Sequence, residues 1–193
     1  MNLLFVVDVS GSMNEMGKIH LQRNLCRFAA QLKLIDWDKY ANLRINFYQW
    51  AQDISEITIQ NDGDIPALNA GGSSSLNVLS NFFSQIPNVT EKPNVLLLSD
   101  GNFDYNEYSS FLNWKQEHNK IIIHTVAVGA DADLLRLKKI STNNSVHLSE
   151  NIASAIDSII FDSDEPFAAP VSTAQIMHSA LVESEEPEED WDA

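Results

Sequence analysis

The chain predicts an α/β fold: a doubly wound, mostly parallel sheet of about six strands with one antiparallel edge strand and helices on both faces. Three observations predict it. Residues 3–7, 95–99 and 121–128 are almost wholly apolar, the pattern of strands covered on both faces. Between the candidate strands run stretches with helical apolar spacing. The first two runs also empty into polar loops, and open α/β sheets place their ligands at the carboxyl ends of such strands.

The elements follow in order. Residues 15–35 read as the first helix, with Ile19, Leu21, Leu25, Phe28, Ala29, Leu32 and Ile35 as its core stripe. Lys18, Gln22, Arg23, Arg27 and Lys33 are expected mostly on the opposite side. Residues 43–50 and 54–60 alternate polar and apolar about a short connection, which suggests an antiparallel pair at the sheet edge. The turn signal at 61–64 carries acids expected to be solvated, since the later glutamate of a calcium loop is missing. Residues 76–86 form a helix stopped by Pro87, and 105–119 form the next. His124 and Thr125 interrupt the strand at 121–128, and His124 reads as a hydrogen-bonded core residue. A short helix from Asp131 to Lys139, a last strand at 145–148 and a final helix capped by Ser149 complete the domain.

The loop after the first strand carries the chemistry. Asp8, Ser10 and Ser12 stand at alternate positions, so a near-extended loop converges their oxygens on one point, and Gly11 permits the turn. Carboxylate and hydroxyl oxygens without thiols or imidazoles suit a hard cation such as Mg²⁺ or Mn²⁺.

The stretch Asp8-Val-Ser-Gly-Ser-Met13 after an apolar strand resembles the opening of a von Willebrand factor A (VWA) domain. In that family a metal-ion-dependent adhesion site begins Asp-x-Ser-x-Ser. A Thr on a second loop and an Asp on a third complete it. Gly71-Gly-Ser-Ser-Ser-Leu76 resembles the second loop, with Ser74 where the family usually has Thr and with Ser73 and Ser75 as alternatives. Serine keeps the hydroxyl and loses the methyl that stiffens χ1. Val95-Leu-Leu-Leu-Ser-Asp-Gly101 resembles the third loop and brings Asp100. The resemblance spans roughly residues 2–160 and implies a Rossmann-like sheet with a metal held by Asp8, Ser10, Ser12, Ser74 and Asp100. It further implies that a Glu or Asp from a partner protein completes the coordination sphere. The chain is then similar to stand-alone intracellular bacterial VWA proteins that serve kinase and phosphatase or AAA+ ATPase systems.

Composition narrows the classes. All 12 Lys and Arg fall in residues 1–139 beside 15 acids, whereas residues 140–193 hold 12 acids and no base. A net charge of −15 argues against nucleic acid and against an anionic membrane as partners. No apolar run approaches a membrane span, Met1-Asn2 leads straight into the first strand, and the single Cys26 excludes an internal disulfide. These features set the expectation of a cytoplasmic protein, in which the sequons at Asn88 and Asn143 have no meaning.

The domain is expected to span 1–161 and an acidic linker and tail 162–193, with a short helix at 171–182. Seven acids crowd the last eleven residues, a composition that solvates rather than folds. Within it Trp191, with Glu188, Glu189 and Asp190, is a candidate partner motif or a means of self-association through another copy's metal. The functional expectation is a Mg²⁺-dependent binding module and not an enzyme: none of the three loops offers His, Lys or Cys as base or nucleophile, and His20 lies down the first helix. The alternative is a structural VWA subunit that binds through its helices or tail without the metal; a metal-dependent hydrolase is the third reading.

Overall fold

A computed structural model describes residues 1–60, 64–86 and 93–161. Six strands, β1 (Asn2–Asp8), β2 (Arg44–Trp50), β3 (Ile54–Glu56), β4 (Asn94–Ser99), β5 (Ile122–Ala127) and β6 (Val146–Leu148), form one sheet in the order β3-β2-β1-β4-β5-β6. Every neighbouring pair is parallel except β2 with β3, the antiparallel edge. The apolar runs are therefore the central strands. A strand buried on both faces has no solvent side on which to place polar residues.

Among the described residues six α-helices cover the two faces. They are α1 (Lys18–Ile35), α2 (Trp37–Tyr40), α3 (Leu76–Gln85), α4 (Tyr105–Glu117), α5 (Leu134–Ile140) and α6 (Ile152–Phe161). Strand alternation divides the core accordingly. Leu3, Phe5 and Val7 of β1, with Leu96 and Leu98 of β4, meet Leu25, Cys26 and Ala29 of α1 and Ile156 and Ile159 of α6. Val6, Val95 and Leu97 point the other way, into Leu79 and Phe83 of α3, Phe111 of α4 and Leu137 of α5. Burying each of these large side chains contributes about 1.5–3 kcal/mol.

The structure corrects several local expectations. The segment expected to open the first helix is a 3-10 stretch, Gly11–Gly17, broken at Glu15 and Met16, and α1 begins only at Lys18. Gly17, at φ 72, supplies the left-handed residue between the two. Lys18 and Gln22 are buried with the apolar stripe, whereas Ile35 is 62% exposed at the end of the helix. The helix expected from Asp131 begins at Leu134, capped by Asp133, which accepts from Leu135 N and Arg136 N. Ser149 opens a 3-10 turn, Ser149–Asn151, and α6 begins only at Ile152, three residues after the expected cap. Asp64 is not merely solvated: it bonds Arg23 and Arg27 of α1. His124 is half-buried and bonds Ser158 Oγ through Nδ1, as expected of a core histidine. The proposed tail, its short helix and Trp191 lie outside the described residues.

Candidate functional site

Because β1 and β4 are adjacent and parallel, the loops that leave their carboxyl ends must meet, and Asp8 and Asp100 meet with them. Two backbone bonds then tie the second loop to the first: Gly71 N donates to Val9 O (2.8 Å) and Gly11 N donates to Gly72 O (2.9 Å). Gly11 is needed for space rather than for a turn. A Cβ on it would sit 3.3 Å from the Gly72 carbonyl oxygen. The indole of Trp50 at the end of β2 donates to Ser75 O (2.7 Å) and holds the start of α3 in place.

Asp8 is fully buried. One carboxylate oxygen accepts from Ser10 N (2.8 Å) and the other from Ser99 Oγ (2.6 Å). Burial pushes its carboxyl up to about 6; the bonds from Ser99 and Ser10 pull it down, and the negative charge of Asp100 adds to the rise. Ser10 is buried and Ser12 half-buried, with their hydroxyl oxygens 3.3 Å apart. On the second loop the three serines separate by role. Ser73 is exposed, and Ser75 is the N-cap of α3 and donates to Glu107. Ser74 is buried and donates to Asn102 O of the third loop (2.9 Å). Asp100 accepts from Asn102 N (3.0 Å) on one oxygen.

Its other oxygen holds a group that sequence reasoning placed on the far side of α1. Lys18 Nζ, with its side chain 1% exposed, lies 2.9 Å from Asp100 and 2.8 Å from Asp131. A lysine therefore does reach the site, from the helix rather than from a loop. Burial pulls its pKa down, yet the bonds to Asp131 and Asp100 more than offset this and leave it above the ordinary value, so it is an ammonium and no general base. Ser99 was missed as well; it orients Asp8 and accepts from Gly101 N (3.0 Å). No motif marked Lys18. Its signal was spacing, since it stands one turn before Gln22 and two before Cys26 on the inward stripe.

The donor set suits a hard divalent cation. Two carboxylates and neutral hydroxyls gather with no thiol or imidazole, and burial has raised Asp8 in the way that a bound cation would relieve. Among the described residues no group of three or more His, Cys, Asp or Glu is placed to hold a metal ion, so a cation here would depend on the serine hydroxyls beside the two carboxylates.

The mostly parallel sheet, with an Asp-x-Ser-x-Ser loop and an Asp-Gly loop at the ends of its central strands and a serine loop beside them, is the arrangement that the VWA resemblance implies. By sequence, no family model and no curated relative matches the chain. Solved structures show that the chain has the von Willebrand factor A fold. It is similar to an aerotolerance-related membrane protein from Bacteroides fragilis, with a TM-score of 0.61 and 12% identity over 84% of this chain and 99% of that one. It is similar also to the ArnB paralog VWA2 from Sulfolobus acidocaldarius, with a TM-score of 0.58 and 15% identity over 80% of this chain and 43% of that one. Proximal thread matrix protein 1 from the mussel byssus, in a structure with a zinc-occupied MIDAS motif, gives a TM-score of 0.57 at 13% identity over 80% of this chain. This chain covers 44% of that mussel protein's length.

Proposed function

We propose that this chain is a protein-interaction module whose loop cluster holds a divalent cation, Mg²⁺ or Mn²⁺, and uses it to capture a Glu or Asp side chain of a partner protein. Asp8, Ser10, Ser12, Ser74 and Asp100 are the ligands. The observation that supports the reading is the meeting of the three loops that bear these residues at the carboxyl edge of the sheet, with four of the five side chains buried. Two carboxylates under-neutralise a divalent ion once Asp100 is shared with Lys18, which leaves demand for an outside carboxylate. The metal-occupied MIDAS of the mussel protein supports the chemistry. The segments that follow β1, β4 and β5 also carry Met16, Tyr105 and Leu135, each more than 70% exposed and available to a partner. Catalysis is not part of this proposal, because the one basic group at the site is held as an ammonium. A reducing, cytoplasmic setting fits the single buried Cys26, and among the described residues no helix is long and apolar enough to cross a membrane.

One observation favours a second reading. The bond of Lys18 to Asp100 gives the site a cation of its own, as a purely structural VWA subunit would need. Capture of partners from native lysate in Mg²⁺, in EDTA and with Asp8→Ala bait separates the two. Partners recovered only in Mg²⁺ and only with intact Asp8, at unchanged melting temperature, support the metal clasp. The same partners in all three conditions refute it.

A further inference from the structure

We infer that Lys18 and Asp131 set the strength with which the loop cluster holds its divalent ion, Lys18 by competing for Asp100 and Asp131 by drawing Lys18 away. The inference rests on the metal-binding reading above. Its ground is one shared ammonium. Lys18 Nζ lies 2.9 Å from Asp100 Oδ2 and 2.8 Å from Asp131 Oδ2, and a positive charge on a carboxylate weakens that carboxylate for any second cation. The two acids differ in setting: the Asp100 side chain is 3% exposed, that of Asp131 41%. Asp100 therefore stays at the site, while Asp131 is the partner that a change in charge can remove without opening the core.

The fold makes room for this bridge. Gly129, at φ +94, lies two residues beyond β5 where the lysine stem crosses; a Cβ there would lie 2.7 Å from Lys18 Cδ and 2.7 Å from Asp131 Oδ1. A lysine buried to this degree at the start of a helix does nothing for packing that an apolar residue would not do better. Its retained charge acts on Asp100. Counting Asp8, Asp100 and Lys18 as ionised, the ligand cluster carries a net −1 and leaves a divalent ion under-neutralised, while Asp131 holds the ammonium from outside it. Without the lysine the ion would meet both carboxylates unshared and bind too tightly to need a partner's carboxylate.

The test is Mn²⁺ binding to the full chain, read by electron paramagnetic resonance, with Mg²⁺ as competitor. Lys18→Met should raise Mn²⁺ affinity at least tenfold and enlarge the rise in melting temperature on adding metal. Asp131→Asn, which leaves the ammonium wholly on Asp100, should lower affinity several-fold. Glu15→Gln removes an equal charge from the exposed segment after the first loop and should leave affinity within twofold. Opposite shifts in the first two variants with a silent third support the inference, and Asp131→Asn alone carries the test if Lys18→Met does not fold. Binding that is unchanged in both, or weakened equally by Glu15→Gln and Asp131→Asn, overturns it while leaving the metal clasp intact. Absence of Mn²⁺ binding in the wild type and in Lys18→Met refutes the clasp and the inference together.

Discussion

Gly101→Ala tests whether the third loop is held by close backbone contact, and its cost can be worked from the structure. Gly101 has φ +80, where an L side chain costs roughly 1–2 kcal/mol. Its Cβ would lie 2.9 Å from Asp133 O and 3.3 Å from Leu137 Cγ. Neither neighbour can yield easily: Asp133 N donates to Asp100 O at 2.7 Å, and Leu137 is fully buried. Overpacking of this kind adds about 1–3 kcal/mol, while the stiffer unfolded chain gives back about 0.4–1 kcal/mol. The expected net loss is about 2–4 kcal/mol, or on the order of 5–12 °C in melting temperature for a domain of this size. Gly17→Ala is the control. It has φ +72 and nothing within 4 Å of its Cβ, so only the backbone penalty applies and the loss should stay at about 1 kcal/mol or less. Both are measured by urea denaturation at equal pH. Equal losses in the two variants would show that Asp133 and Leu137 move aside freely, and the argument for a rigid third loop would fall.

Four further predictions follow from single contacts. Trp50→Phe removes the donor to Ser75 O and some buried volume, and should cost about 2–3 kcal/mol in denaturant; a loss under about 0.5 kcal/mol would sink the role given to that bond. Gln22 is fully buried and its amide atoms find no hydrogen-bond partner among the described residues, so Gln22→Met should stabilise by about 1–2 kcal/mol, and a destabilised variant would contradict this. Asp64 is held at about 2 chiefly by the bond from Arg27; a folded-state pKa below the ordinary carboxylate value means stability that is present above about pH 4 and lost as pH falls toward 2. Asp64→Asn should flatten that acid limb, and an unchanged pH profile would reject the assignment. The Cys26 thiol, buried and pushed up to about 12 by desolvation, should react with a thiol reagent only at the rate of unfolding; fast labelling of the native protein at neutral pH would refute its burial.

Much of the fold was readable because apolar runs are unambiguous when a strand is covered on both sides. Residues 3–7 and 95–99 became β1 and β4, and the short connection before Ile54 became the antiparallel edge. What misled was residue type overruling position. Lys18 and Gln22 share the inward stripe of α1 with Cys26 and Ala29 at helical spacing, yet their polarity placed them outside. The acids that justify a buried lysine, Asp100 and Asp131, stand 82 and 113 residues away in the chain, and no local pattern announces a partner so distant. The start of α1 was misplaced for a similar reason: Glu15 and Met16 are good helix formers, but the left-handed Gly17 beside them breaks the helix. For the candidate site, alternation singles out Asp8, Ser10 and Ser12, whose polar atoms the fold links by short hydrogen bonds. Among the three serines of the second loop, the sequence does not reveal that Ser73 is exposed, that Ser75 caps α3 and that Ser74 is buried against the third loop.

The reciprocal backbone bonds between the first two loops bear on how the site moves. Gly71 N and Gly11 N each borrow an acceptor from the other loop, so neither amide can be released to solvent unless the loops part. Their protons should exchange with deuterium at a common rate, as one opening event. A cation or carboxylate that stiffens either loop would then slow exchange in both, and the pair of amides becomes a clock for occupancy of the site.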